Sequence, residues 1–253
     1  MSNRVITFDL DGTLIGENNQ VIGGNKTIQL LQDFQKENYK LLVSTGRLDH
    51  DIYYIVNKYG LDVDCRISQN GAVIQTKNSI QARLLDKNEA KNLYKRLQEY
   101  DVRIELNTVS NRYWNSERDP DFPREYYDSS HIIKDYDFII EYQPIILFLI
   151  IGKMKEIEKI QKFVNDTFKN IHAVKTSSSS LEILSKGVSK GNAITKIYPN
   201  SEIYAIGDSE NDYSMFAVSK EAYFVGDGIC RSAKQCDSIL EALIDIKERS
   251  RYE

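Results

Sequence analysis

The chain has 253 residues, 41% of them hydrophobic and 28% charged, a balance expected of a globular chain and not of a disordered or fibrous one. Its formal net charge of -4 gives no basic footprint for nucleic acid, and its longest apolar run, PIILFLIIG at 144–152, is too short to span a bilayer. Cys65, Cys230 and Cys236 form no C-x-x-C pair and no disulfide framework, so they are expected to be reduced thiols of a cytoplasmic protein; the N-terminus enters a strand without a signal region.

In chain order, VITFD is β-branched and aromatic and predicts a buried strand ending at Asp9. KTIQLLQDFQKEN sets Ile28, Leu31 and Phe34 near one face and predicts an amphipathic helix. YKLLVSTGR predicts a second strand and LDHDIYYIVNKYG a second helix, stopped by Gly60. CRISQNGAVIQTKNSIQARLL reads as a short strand and a hairpin turning near Lys77-Asn78. This alternation predicts a parallel sheet with helices on both faces.

The middle has another texture. DKNEAKNLYKRLQEY is helical, VRIELN and RYWN alternate as antiparallel strands do, and SERDPDFPREYYDSS is a polar, proline-containing connection. PIILFLII, the helix KMKEIEKIQKFVNDTF and the strands IHAVKT and SLEILS complete a small α+β unit. From Lys190 the first texture returns: a helix in SKGNAITKIYP, a strand in EIYAIGD, a helix in NDYSMFAVS, a strand in EAYFVG and a closing helix. The predicted organisation is a discontinuous α/β core, 1–84 plus 186–253, with an α+β unit at 85–185 inserted between.

Each core strand ends in polar residues: Asp9 and then Asp11, Ser44-Thr45, and Gly207-Asp208. In open parallel sheets ligands bind beyond the carboxyl ends of the strands, so these stretches converge on one crevice. Two carboxylates at the end of a buried strand repel, and a divalent cation among them makes the pair tolerable. Asp9, Asp11 and Asp208 are hard oxygen donors that suit Mg²⁺. A carboxylate can attack phosphorus and form an aspartyl-phosphate that water hydrolyses; Asp9, at the rigid strand end, is the expected nucleophile and Asp11 the general acid and base. Gly12 is expected to supply a sharp turn and Thr13 to hold Asp11 by hydrogen bonds. Other patterns carry nothing: VIGGNKT lacks the P-loop spacing, and His50, His131 and His172 share no metal-ligand spacing. Trp114 and the tyrosines have no basic patch with which to stack bases.

DLDGTL, STGR, VSKGNAI and GDSENDYSMF occur in an order and spacing that resemble the haloacid dehalogenase superfamily, and the insert resembles the C2-type cap of its Cof-type phosphatases. The resemblance implies a Rossmann-like three-layer core with a cap at 85–185, and a Mg²⁺-dependent phosphatase of small phosphorylated metabolites, sugar phosphates favoured. A phosphomutase using the same aspartyl-phosphate is the alternative, and a non-catalytic phosphosugar-binding protein a third. The implied phosphate-binding set is Leu10, Ser44, Thr45, Lys190 and Asn211, with Ser44 and Thr45 also candidates to cap the following helix. Asp212 is either an indirect support of the metal, a support for Lys190, or a stabiliser of its own helix start. Arg47 is a candidate for a substrate anion, or else for a core salt bridge; Ser178 and Glu182 are candidates for a sugar hydroxyl. The implied partner is a small phosphorylated molecule, with no nucleic acid and no membrane, bound by a monomer or weak homodimer.

Overall fold

The computed structural model describes residues 3–16, 19–117 and 130–250. The chain divides into two compact units, Met1–Ile80 with Ser189–Glu253, and Gln81–Val188. In the first segment lie β1 (Arg4–Phe8), α1 (Gly24–Lys36), β2 (Lys40–Ser44), α2 (Asp49–Lys58), β3 (Cys65–Ser68), β4 (Val73–Thr76) and β5 (Ile80–Ala82), the last running across the boundary. The 81–188 unit continues with α3 (Lys87–Leu97), β6 (Arg103–Thr108), β7 (Arg112–Trp114), β8 (Ser130–Ile132) and α4 (Asp137–Tyr142). It ends with β9 (Ile145–Ile151), α5 (Met154–Thr167), β10 (Ile171–Lys175) and β11 (Ser180–Ser185). The chain then returns through α6 (Lys190–Ile197), β12 (Glu202–Gly207), α7 (Tyr213–Phe216), β13 (Glu221–Val225), β14 (Lys234–Cys236) and α8 (Ile239–Arg249).

The sheet of the first unit runs β14-β13-β12-β1-β2-β3-β4-β5. It is parallel from β14 to β3 and turns antiparallel at β4. One face is built from Val5, Leu42, Ile203 and Ala205, which pack with Ala193 and Ile194 of α6 and Met215 and Phe216 of α7. Successive side chains of a strand alternate between faces, so β1, β2 and β12 present their remaining apolar residues to the other side. There α1 lies against β2, α8 against β12, and the two helices meet each other. Fully burying one such Leu, Ile or Phe is worth about 1.5–3 kcal/mol, and Leu31, Phe34, Leu243 and Ile246 are all completely buried. The predicted α/β class with a parallel sheet is what the chain adopts.

The sheet of the second unit runs β10-β11-β9-β6-β7-β8. Its described helices cover one face: Ala90, Leu93 and Leu97 of α3, Ile139 and Ile140 of α4, and Ile157, Ile160 and Val164 of α5 share a core with Ile104, Leu106, Phe148, Leu181 and Ile183. Alternation sends Arg103, Glu105, Asn107, Arg112, Trp114 and Glu182 to the opposite face. There the Arg103 guanidinium stands 4.0 Å over the Trp114 ring and 3.5 Å from Glu105.

Several local expectations change. β8 pairs parallel with β7, so this sheet is not wholly antiparallel. Residues 118–129, most of the polar connection, lie outside the described residues. The helix expected in NDYSMFAVS is a 3-10 turn at Glu210–Asp212 followed by the four-residue α7. Neither α4 nor β14 is expected from the sequence, because each is too short to show a period. Among the described residues no helix is long and apolar enough to cross a membrane.

Candidate active site

The register of the first sheet decides which side chains meet. β1 pairs Phe8 with Ile206 of β12 on one side and with Val43 of β2 on the other. The next residue of each strand therefore falls on one line, which brings Asp9 beside Gly207-Asp208 and Ser44-Thr45. After Asp9 the chain folds sharply, with the N–H groups of Thr13 and Ile15 donating to the Leu10 carbonyl at 3.2 and 2.8 Å. Gly12 sits at φ +79°, and a Cβ there would lie 2.3 Å from Asp208 Oδ2, so backbone and space both demand glycine. The buried Thr13 hydroxyl donates to Asp208 Oδ1 at 2.9 Å.

After β12 the loop closes on Asp212. Its Oδ2 accepts from the backbone N–H of Asp208 (3.0 Å) and of Ser209 (3.1 Å). A Cβ on Gly207 would lie 2.4 Å from Asp212 Cγ, so only glycine lets this carboxylate fold back on the strand end. Ser209 donates its hydroxyl to Asn211 Oδ1 at 2.6 Å, and Asn211 Nδ2 reaches Asn70 Oδ1 at 3.3 Å.

Lys190 comes from a third direction. Ser189 caps α6 by accepting from Asn192 N–H at 3.1 Å, which makes Lys190 the first helical residue. A cation at a helix start is opposed by the helix dipole. Two carboxylates offset this: Nζ donates to Asp9 Oδ1 at 2.9 Å and to Asp212 Oδ1 at 2.7 Å, with the lysine side chain wholly buried. Burial alone would lower the Lys190 ammonium pKa, but Asp212 and Asp9 outweigh it and hold it above the ordinary lysine value. Burial pushes the Asp9 carboxyl up to about 8; Lys190 pulls it down, while Asp212, Asp208 and Asp11 add to the rise. Asp208 is pushed up to about 6, first by burial and then by Asp212, against the Thr13 hydroxyl.

Asp9, Asp208 and Asp212 each offer an oxygen within 4.8 Å of the others. With all three ionised, the carboxylates against one ammonium leave an excess of two negative charges, which is what raises the Asp9 and Asp208 carboxyls beyond the effect of burial. Among the described residues the Oδ2 atoms of Asp9 and Asp208 accept no hydrogen bond, whereas both oxygens of Asp212 are engaged. This all-oxygen, doubly negative set fits a hard divalent cation.

The expected metal set differs at Asp11. Its carboxylate lies outside the acidic cluster because Arg47 takes both oxygens, Nε donating to Oδ2 at 2.8 Å and Nη2 to Oδ1 at 2.6 Å. Thr13, expected to hold Asp11, donates to Asp208 instead. Arg47 pairs with Asp11, with Asn19 (2.9 Å) and with the buried Asp51, the salt bridges that were one of its two expected roles. Burial would lower the Arg47 pKa, but the Asp11 hydrogen bonds and charge and then Asp51 raise it. Ser44 and Thr45 stand at the end of β2, both buried; Thr45 Oγ1 accepts from Arg47 N–H at 3.3 Å, and the Ser44 hydroxyl has no partner among the described residues. Neither caps α2, whose N-cap residue is Leu48 and carries no side-chain cap. Leu10 is buried within the turn after β1. Ser178, exposed in a turn, and Glu182, buried on β11, belong to the 81–188 unit. Sequence reasoning missed Asp51 and Asn19; the only hint was the Arg47-to-Asp51 spacing of four across a helix start.

The haloacid dehalogenase-like hydrolase profile matches residues 6–242. The chain belongs to this family. Haloacid dehalogenase-like hydrolases generally use a metal ion, in keeping with the acidic cluster. A Haemophilus influenzae protein with a provisional phosphatase name is 26% identical over 265 residues, covering 98% of this chain and 93% of its own. The Bacillus subtilis phosphatase YwpJ is 25% identical, covering 88% and 90%. In fold, the chain is similar to the HAD subclass IIB sugar phosphatase BT4131, with a TM-score of 0.80 at 16% identity over 98% of this chain and 99% of that one. This haloacid dehalogenase-like hydrolase is thus similar, over most of its length, to two proteins that carry phosphatase names.

Proposed function

We propose that the enzyme hydrolyses small phosphorylated metabolites, sugar phosphates foremost, with Mg²⁺ and through an aspartyl-phosphate on Asp9. The observation that carries this reading is Asp9 itself. It is a buried carboxylate at a strand end, one oxygen held by Lys190 and the other accepting no hydrogen bond among the described residues. The sugar class is supported by the fold neighbour described as a sugar phosphatase.

In this reading Asp9 Oδ2 attacks phosphorus and the bond from phosphorus to the leaving oxygen breaks. The electron pair goes to that oxygen, which takes a proton from the Asp11 carboxyl and departs as the alcohol. Water then attacks the aspartyl-phosphate and gives its proton to the Asp11 carboxylate, and phosphate leaves with Asp9 restored. Lys190 holds Asp9 Oδ1 and carries positive charge toward the phosphoryl group; Ser44 has an open hydroxyl to donate to it, and Thr45, Asn211 and the backbone of Leu10 line the same strand ends. Asp9 and Asp208 would hold Mg²⁺, with Asp212 orienting Asp208 and Lys190. When bound, the cation neutralises phosphoryl charge that the acidic cluster would otherwise repel. The 81–188 unit is the proposed cap, which excludes water and selects the leaving alcohol through residues such as Glu182 and Ser178. Phosphate release is measured over a panel of phosphorylated metabolites, in chelator and in Mg²⁺. Mg²⁺-dependent release from sugar phosphates is expected, and no release from any member above that of Asp9→Asn overturns the proposal.

A further inference from the structure

Arg47 is 6% exposed, and four of its five N–H bonds are spoken for. Two go to Asp11 as a planar fork, one to Asn19 and one to Asp51. Asp51 is completely buried in the first turn of α2, while the Asp11 side chain keeps 45% of its surface exposed. The two carboxylates thus meet one guanidinium from opposite sides, one facing the core and one facing outward.

A purely structural arginine at this depth would be neutralised by Asp51 alone. An outward, half-exposed carboxylate adds little to stability. What the second carboxylate gains is orientation. A bidentate fork fixes the plane of a carboxylate as a single point charge cannot, and the fork is fixed only if its far side is anchored. Asp51 supplies that anchor. It also keeps the buried guanidinium neutralised whenever Asp11 turns away, so Asp11 can move without stranding a buried charge.

We propose that Asp51 and Arg47 are positioning residues that hold Asp11 as the proton acceptor for the water step, the hydrolysis of the aspartyl-phosphate. This rests on the reading of Asp11 as the general base. In that step a water oxygen bonds to phosphorus and the bond from phosphorus to Asp9 breaks with its electron pair returning to Asp9. The water proton passes to the Asp11 oxygen that the fork presents.

The test is the fraction of Asp9 phosphorylated at steady state with 2,4-dinitrophenyl phosphate and Mg²⁺, read by intact mass after acid quench. That ester expels a leaving group needing no proton, so only the water step depends on Asp11. Asp11→Asn is expected to convert most of the enzyme to the phosphorylated form. Arg47→Lys keeps the charge and loses the fork, and should lower kcat about tenfold or more while the phosphorylated fraction rises well above wild type. Asp51→Asn keeps volume and one acceptor oxygen but drops the charge, and should change both in the same direction by less. A merely structural role would lower turnover without raising the phosphorylated fraction. High accumulation in Asp11→Asn with wild-type levels in both other variants overturns the clamp and leaves the general base standing. Accumulation in Arg47→Lys alone overturns the role of Asp51. No accumulation in Asp11→Asn removes the general-base reading and the clamp with it.

Discussion

The two units bury polar side chains in opposite ways. In the first, Lys190 bonds Asp9 and Asp212, and Arg47 bonds Asp11, each pair joining strand ends and helix starts from distant parts of the chain. In the second, Glu105, Asn107, Arg112 and Glu182 occupy alternate positions within strands, on the sheet face opposite the helices. The ends of a parallel sheet gather groups from distant parts of the chain, so a site there depends on several turns and registers at once. A sheet face is set by alternation alone, so one side chain can change without moving its neighbours.

The contrast is broken most directly at Asp9. Asp9→Asn alters volume little and removes the proposed nucleophile, so kcat should fall about 10⁴-fold or more with the fold retained. Near-wild-type turnover, in a preparation free of other phosphatases, would leave the first unit with no claim to the chemistry. Next comes Lys190. Lys190→Met strands Asp9 and Asp212 as buried, unpaired carboxylates and should cost about 3–5 kcal/mol of stability by urea unfolding. The isosteric Glu182→Gln on the second sheet should cost under about 1 kcal/mol. Equal losses would show that the two units depend on their buried charges alike.

Metal removal sharpens the same comparison. Chelation should stop turnover and Mg²⁺ restore it. It should also expose a pH dependence that belongs to the first unit. Because the folded protein holds the Asp9 proton up to about 8, against an ordinary 3.8, that stabilisation is full below the ordinary value and lost as pH rises through about 8. A bound cation replaces the proton and abolishes the loss. The gap in Tm between Mg²⁺-loaded and chelated protein should therefore widen from about pH 5 to about pH 9. A constant gap would mean that the cation does not bind at Asp9.

How much of this the sequence disclosed depends on the range of each interaction. The strands before Asp9, Ser44 and Asp208 announce themselves by β-branched runs, and their shared edge follows from parallel topology. Lys190 is legible through its VSKG motif and the carboxylates that call for an opposing charge, since a lysine at a helix start is ordinarily solvent-exposed. The Thr13 bond to Asp208 spans 195 residues, and no local pattern encodes it. Asp51 hid for a different reason: an acid in the first turn of a helix is commonplace, and only the fate of Arg47 shows why this one is buried. Asp11 is expected at the metal as a third hard oxygen donor near the strand end, and the fork that draws its carboxylate to Arg47 is a contact of 36 residues' separation that no local pattern encodes.

If the 81–188 unit selects the substrate, deleting it and joining Ile80 to Ser189 by a short linker should preserve Mg²⁺-dependent hydrolysis of p-nitrophenyl phosphate. Discrimination among sugar phosphates should shrink by about tenfold or more, because the groups that recognise the leaving alcohol are gone. In a folded, monodisperse sample, unchanged relative kcat/KM values across the panel would move the specificity into the first unit.

The smallest effect separates the units by stability instead of activity. His172 lies on β10, paired with Leu184 of β11, and burial lowers its pKa from 6.5 against the opposing pull of the Leu184 backbone. The folded second unit therefore binds its proton less readily than the unfolded chain does. That contribution to stability is present above about 6.5 and lost as pH falls through the lowered value, the opposite sense to the chelated first unit. His172→Asn should flatten the acid slope of urea unfolding between about pH 7 and pH 5 and leave the chelator-dependent slope untouched. The effect will be modest, because the imidazole is only partly buried and solvent screens what remains. An acid slope identical in wild type and variant would show that protonation of His172 plays no part.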